Sequence, residues 1–287
     1  CYRPPRSMGW CGPASPRALW LQPIDGRARL LARPDRDLAD RFVLATAADA
    51  SFTGPDGDAI EAWWYRPVGE RDGATPLIVY YYGGSMPTQR VFNTTHQFWA
   101  ANGYAVLVVN PRGAVGRGDD FADWHAGDWG PAAGSDILAG ARALLARYPE
   151  LDREAVGCYG GSYGGFMTMH LATHSDLFGA ACAMYGIADL ATYWGQGTWG
   201  WTYGDMAVGG RMPWNHPDYF TGRSPLFQAG AVQTPLLLLH GDDDRNVTPG
   251  QSVEMFTALQ VQGKPVEMVS FAGEGHGISG SWENRVA

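Results

Sequence analysis

The sequence predicts an α/β protein, an open and mostly parallel sheet with helices on both faces. Three observations carry that reading. From residue 77 onward, short apolar runs alternate with helix-like stretches, the order that builds parallel strands joined by crossover helices. One of the runs, 105–109, reads AVLVV and is apolar throughout, as a strand covered on both faces must be. The chain has 287 residues, 45% of them hydrophobic and only 17% charged, which is enough apolar material for one large core.

Taken in order, residues 1–17 are rich in Pro and Arg and read as irregular. Two short strands, 18–23 and 27–31, flank an Asp25-Gly26 turn. An isolated hairpin is marginal in water, so this one reads as the end of a larger unit. Strands at 42–46 and 59–66 surround the Gly54-Pro55-Asp56-Gly57 turn. The alternation then begins with strand 77–81, helix 90–102 ended by Gly103, strand 105–109, and helix 135–148 stopped by Pro149. Strand 155–159, helix 166–174 and strand 179–185 follow. After an aromatic-rich insertion at 188–230 come strand 235–240, helix 250–262 and strand 266–271. Six strands are thus linked by crossovers, and no internal repeat interrupts them.

The net charge of −8 and the absence of any Lys/Arg run argue against a nucleic-acid partner. No stretch approaches the length of a membrane span. The four cysteines, at 1, 11, 158 and 182, make neither a metal spacing nor a disulfide framework. Two of them, Cys158 and Cys182, fall in predicted core strands, where a thiol serves as a small hydrophobe. The chain opens on Cys1 instead of methionine, so the true N-terminus is expected upstream, and no compartment is assigned.

Residues 157–168 read GCYGGSYGGFMT, with a strand before and a helix after. Gly160-x-Ser162-x-Gly164 is the spacing of a nucleophile elbow. Ser162 must stand on a strained turn, and glycines at 160 and 164 leave room for neighbouring backbone. The N–H of Tyr163 then points to where an oxyanion would form. A serine hydroxyl needs a base, and the base an orienting carboxylate, in the chain order Ser, Asp/Glu, His. The loop after 235–240, GDDDRNV, offers Asp242, Asp243 and Asp244. A calcium loop fits Asp242, Asp244 and Asn246, but Val247 and Val253 stand where that loop needs Gly and Glu. The loop after 266–271, AGEGHG, offers His276 among glycines. A metal pair at His170 and His174 lacks HExxH and a third ligand. No metal and no cofactor is expected. The second oxyanion donor belongs after strand 77–81, where the chain reads YYGGS; the Tyr82 hydroxyl is a neutral donor there.

Together, GGSYGGFMT, HGDDDRNV and GEGHG resemble the catalytic domain of the prolyl oligopeptidase family of serine peptidases, as does NPRGAVGRGDDFADWHAGDWG. The resemblance runs over about residues 40–285 and implies an α/β-hydrolase fold. Family members carry a β-propeller first, so residues 1–34 are expected to be its end, with the hydrolase domain at 35–287. The closing helix of the family would only begin at 282–287, making the chain a fragment cut at both ends. The family motif H-G-x-x-D implies Asp244 as the carboxylate, with Ser162 and His276 completing a triad, and Tyr82 matches its oxyanion tyrosine. Asn246 and Val247 match substrate contacts of the dipeptidyl peptidase branch. In the insertion, Trp199 and Tyr203 match the aromatics of the pocket for the residue before the cut bond; a surface loop packing its rings on the sheet is the alternative.

The resemblance implies a serine peptidase acting on short peptides through an acyl-enzyme, with exo- and endo-specificity undetermined. A carboxylesterase with the same triad would carry an HGGG loop, and Tyr82 speaks against it. A non-catalytic binding domain would have lost a triad member. A dinucleotide-binding domain fails because no G-x-G-x-x-G follows a strand. The partner expected is a peptide, and the sequence leaves a homo-oligomer open.

Overall fold

The computed structural model describes residues 6–12, 15–22, 26–33, 36–69, 72–82 and 86–280. The chain begins with an antiparallel three-stranded sheet, β1 (Arg6–Gly12), β2 (Ser15–Gln22) and β3 (Arg29–Ala32). Residues 6–12, expected to be irregular, are therefore a strand: Met8 pairs with Trp20 and Gly9 with Leu19. Helix α1 (Arg36–Arg41) leads to a separate nine-stranded sheet.

That sheet opens with β4 (Ala47–Asp49), β5 (Phe52–Thr53) and β6 (Ala59–Tyr65), all antiparallel. The strand expected at 42–46 is not formed. Partner β6 reaches only as far as the Tyr65–Ala47 pair, leaving Phe42 and Val43 exposed. The backbone of Ala45 is satisfied instead by the Gln97 amide, which accepts from its N–H at 2.7 Å and donates to its carbonyl at 3.0 Å.

Next come β7 (Thr75–Tyr81), α2 (Thr94–Ala101), β8 (Ala105–Asn110), α3 (Asp119–Asp123), α4 (Pro131–Arg147) and β9 (Leu151–Gly161). Helix α2 starts later than expected because Asn93 caps it, accepting from the N–H groups of Thr95 and His96. Helix α4 starts earlier, with Pro131 in its first turn, where a missing N–H costs nothing. Then follow α5 (Tyr163–His174), β10 (Ala180–Met184), α6 (Leu190–Gln196), α7 (Gly200–Ala207), α8 (Pro217–Arg223) and a 3-10 turn at Pro225–Ala231. The insertion is thus helical and not a surface loop. Finally β11 (Leu236–Gly241), α9 (Gly250–Gln260) and β12 (Val266–Phe271) complete the sheet.

Strands β8, β7, β9, β10, β11 and β12 lie side by side in that order, all parallel, as the sequence predicts. Alternate residues of one strand enter different cores. Ala105, Leu107 and Val109 of β8 join the large cluster with α4 and α5, while Val106 and Val108 join the smaller one beside α2. Burial on both faces explains why β8 reads as an unbroken apolar run. The chain goes from β7 to β8 on one side and then returns to β9 on the other. The crevice beyond the carboxyl ends of β7 and β9 is the switch point, where open α/β sheets bind ligands.

Candidate active site

Ser162 leaves β9 at that switch point and immediately precedes α5, with φ 60° and ψ −118°. A side chain other than glycine is strained there and persists only if its surroundings hold it. They do. A Cβ at Gly160 would lie 2.6 Å from the Gly164 carbonyl oxygen, and one at Gly164 would lie 2.9 Å from that of Tyr81. Only glycines allow strand, turn and helix to approach this closely. The Ser162 N–H is tied to the Met184 carbonyl of β10 at 2.9 Å.

His276 comes from the loop after β12, with Nε2 2.9 Å from Ser162 Oγ and Nδ1 2.7 Å from Asp244 Oδ2. Asp244 is buried in the loop after β11, where Oδ1 accepts from the N–H groups of Asn246 (2.9 Å) and Val247 (3.0 Å). Burial opposes its charge. Hydrogen bonds from His240, His276 and the Val247 N–H outweigh that effect and hold the carboxyl well below the usual carboxylate range. An ionised Asp244 makes Nδ1 of His276 the donor, leaving Nε2 to accept from the serine hydroxyl.

A second histidine braces this carboxylate. His240 Nε2 lies 2.9 Å from the Val247 carbonyl and 3.4 Å from Asp244 Oδ2, both acceptors, so it carries a proton. Its Nδ1 lies 2.7 Å from Ser252 Oγ. The two neighbouring aspartates do other things. Asp242 caps the Gly273 N–H at 2.6 Å, and Asp243 pairs with Arg245 at the surface. The rings of His170 and His174 lie with centroids 4.0 Å apart and are tilted by 30°, and His174 Nδ1 lies 2.8 Å from the His170 carbonyl.

A cavity of about 520 Å³ opens beside Ser162. Tyr82, Tyr163, His276, Trp199, Tyr203, Asn246 and Val247 all line it, so every sequence-predicted residue meets here, with Asp244 behind His276. As the first residue of α5, Tyr163 has an N–H without an intrahelical acceptor. Residues 83–85, the rest of the predicted second oxyanion loop, lie outside the described residues, as do 281–287, where the closing helix was expected to begin. Met86, Ile187 and Tyr193 complete the wall and were missed from sequence. Tyr193 had a signal, since it lies in the same aromatic-rich insertion as Trp199. Among the described residues no Asp, Glu, Lys or Arg lines the cavity, which suits an uncharged side chain. A larger cavity of about 640 Å³ is lined by Trp99, Tyr104 and the early residues of β7, β9 and β10. It shares no lining residue with the cavity beside Ser162.

The pattern of the prolyl oligopeptidase family (Peptidase_S9) matches residues 90–286. This chain belongs to that family. It shares 30% identity over 270 residues with YuxL of Bacillus subtilis, described as an uncharacterized peptidase, covering 93% of this chain and 41% of that protein. Identity to dipeptidyl aminopeptidase BIII of Pseudoxanthomonas mexicana is 30% over 262 residues, 89% of this chain and 36% of the relative. The solved acylaminoacyl peptidase of Pyrococcus horikoshii superposes with a TM-score of 0.92 at 29% identity, covering 99% of this chain and 46% of that one. The chain therefore spans less than half the length of these relatives. Its central sheet is the α/β-hydrolase fold of the family. The acetyl xylan esterase (AXE1) pattern also matches, over residues 35–128.

Proposed function

We propose that this prolyl oligopeptidase family chain supplies the hydrolytic module of a serine peptidase that cleaves short peptides through an acyl-enzyme. The observation that carries the reading is the continuous hydrogen-bonded line from Ser162 through His276 to Asp244 at the edge of an uncharged cavity. Ser162 Oγ attacks the scissile carbonyl as His276 Nε2 takes its proton. Asp244 holds the ring and stabilises the imidazolium, which then protonates the leaving amine. Water repeats the sequence on the acyl-enzyme. The Tyr163 N–H and the Tyr82 hydroxyl hold the oxyanion. Trp199, Tyr203, Asn246 and Val247 receive the residue before the cut bond. Relatives named dipeptidyl aminopeptidase and acylaminoacyl peptidase support this substrate class. We also propose a boundary near residue 34, because β1–β3 form a sheet of their own; we read that sheet as the end of a β-propeller.

A carboxylesterase is the second reading, favoured by the AXE1 match, which spans Tyr82 but none of Ser162, Asp244 and His276. Amide and ester substrates separate the two. The full-length enzyme is expected to hydrolyse a dipeptide anilide ending in Ala or Pro. Tyr82→Phe should slow that reaction by about a hundredfold in kcat with little change in KM, and an activated ester less. Ester turnover with no anilide turnover establishes the esterase instead.

A further inference from the structure

We propose that His125 is a positioning residue that sets the width of the substrate pocket by locking the ring of Tyr203, an inference that rests on the peptidase reading above. His125 follows α3 in the stretch DWHAGDWG and is buried. Its Nε2 lies 2.6 Å from the Tyr203 hydroxyl, a contact between residues 78 apart in sequence. His125 does not line the cavity, whereas Tyr203 does. The phenol is therefore engaged behind the wall, and the face of the ring is what the substrate meets. Burial holds the imidazole neutral, with its pKa lowered to about 4, and in either tautomer Nε2 shares one hydrogen bond with the tyrosine hydroxyl.

The surroundings give this contact leverage. The loop that carries His125 is fastened to the helical insertion at two further points. The Gly127 N–H donates to the Ala207 carbonyl of α7, and Arg223 Nε donates to the Asp128 carbonyl, both at 2.8 Å. Four residues after His125, Trp129 is buried with φ 61°, and its carbonyl accepts from the Tyr163 hydroxyl at 2.6 Å. The same loop thus holds the pocket wall through His125 and, through Trp129, the residue whose N–H is proposed above as an oxyanion donor. Ring centroids of His125 lie 5.1 Å from Tyr163 and 5.7 Å from Tyr203. A strained backbone in a packed aromatic box is the kind of support that fixes a site to within fractions of an ångström.

The test is a double-mutant cycle in the full-length enzyme with His125→Phe, Tyr203→Phe and both changes. Both substitutions keep a ring and remove the hydrogen bond. The readouts are kcat/KM for dipeptide anilides whose penultimate group is Ala, Pro, Leu or Phe, and for an activated acetate ester, which leaves the pocket empty. Each single variant should lower the preference for the best small residue over Phe by about tenfold, mostly through KM. The double variant should lose no more than either single, and acetate turnover of His125→Phe, whose ring does not line the cavity, should stay within about twofold. His125→Gln, whose side-chain oxygen can accept from Tyr203, should recover most of the preference. Additive effects, or equal losses on acetate and anilides, overturn the proposal and leave His125 a packing residue. A wild-type enzyme that cleaves acetate but no anilide defeats the peptidase reading. In that case the same cycle, run with nitrophenyl esters of graded acyl size, still decides the role of His125.

Discussion

Asp244 shows how one side chain is committed to one job. Both of its oxygens are occupied, Oδ1 by two backbone N–H groups and Oδ2 by His276, with His240 close by. Asp244→Asn should cost roughly 10⁴ in kcat, because an amide N–H facing His276 selects the wrong tautomer. Asp243→Asn, which loses only an exposed contact with Arg245, should stay within about twofold; steady-state kinetics on the two variants separates them. The sequence alone left three aspartates open, and the family motif chose among them. Ser162 and His276 were legible because each sits among glycines directly after a strand, a local pattern. His125, His240 and Ser252 were not, because their roles arise from contacts between distant loops and leave no spacing to read.

Among the elements, the loop after β8 is anchored by a buried ion pair as well as by the apolar packing of Ala114, Phe121 and Trp129. Arg112 is fully buried, stacks over Trp124, and meets Asp136 of α4 through Nε at 2.8 Å and a second nitrogen at 2.9 Å, with Asp56 as a further partner. Asp136→Asn would leave the buried guanidinium short of charge, at a cost of about 3–5 kcal/mol. Urea denaturation of this variant should show that loss, and a change below 1 kcal/mol would mean the pair is not structural. Element type was read well where burial on both faces enforces an apolar run, as in β7 and β8. It was read poorly where ends depend on capping or on a partner's length. The N-cap Asn93, Pro131 in the first turn of α4, and the short reach of β6 toward 42–46 are all such cases. The helices of the insertion were missed because their aromatic and glycine content carries no clear helical period.

At the scale of the whole molecule, three buried histidines tie stability to pH. Burial lowers His96 and His125 to about 4, and burial with the neighbouring His174 lowers His170 to about 3. In the unfolded chain each titrates near 6.5, so below that value the unfolded state binds protons that the folded state refuses. Stability should hold above about pH 6.5 and fall as the pH drops toward 4, with a slope approaching roughly 4 kcal/mol per pH unit if all three contribute. Asp136, whose carboxyl is raised by burial, pulls the other way only in the carboxylate range. Thermal unfolding from pH 8 to 5 should show Tm steady and then falling; a flat profile would mean water reaches these rings. The proposed activity rests on one serine held by strands, turn and helix together. The most direct measurement is mass spectrometry of the full-length protein after reaction with a peptidyl diphenyl phosphonate ending in Ala or Pro. One adduct per chain is expected, on the peptide containing Ser162, with none in Ser162→Ala and labelling slowed by orders of magnitude in His276→Ala. An adduct on another residue, or equal labelling of Ser162→Ala, would contradict it.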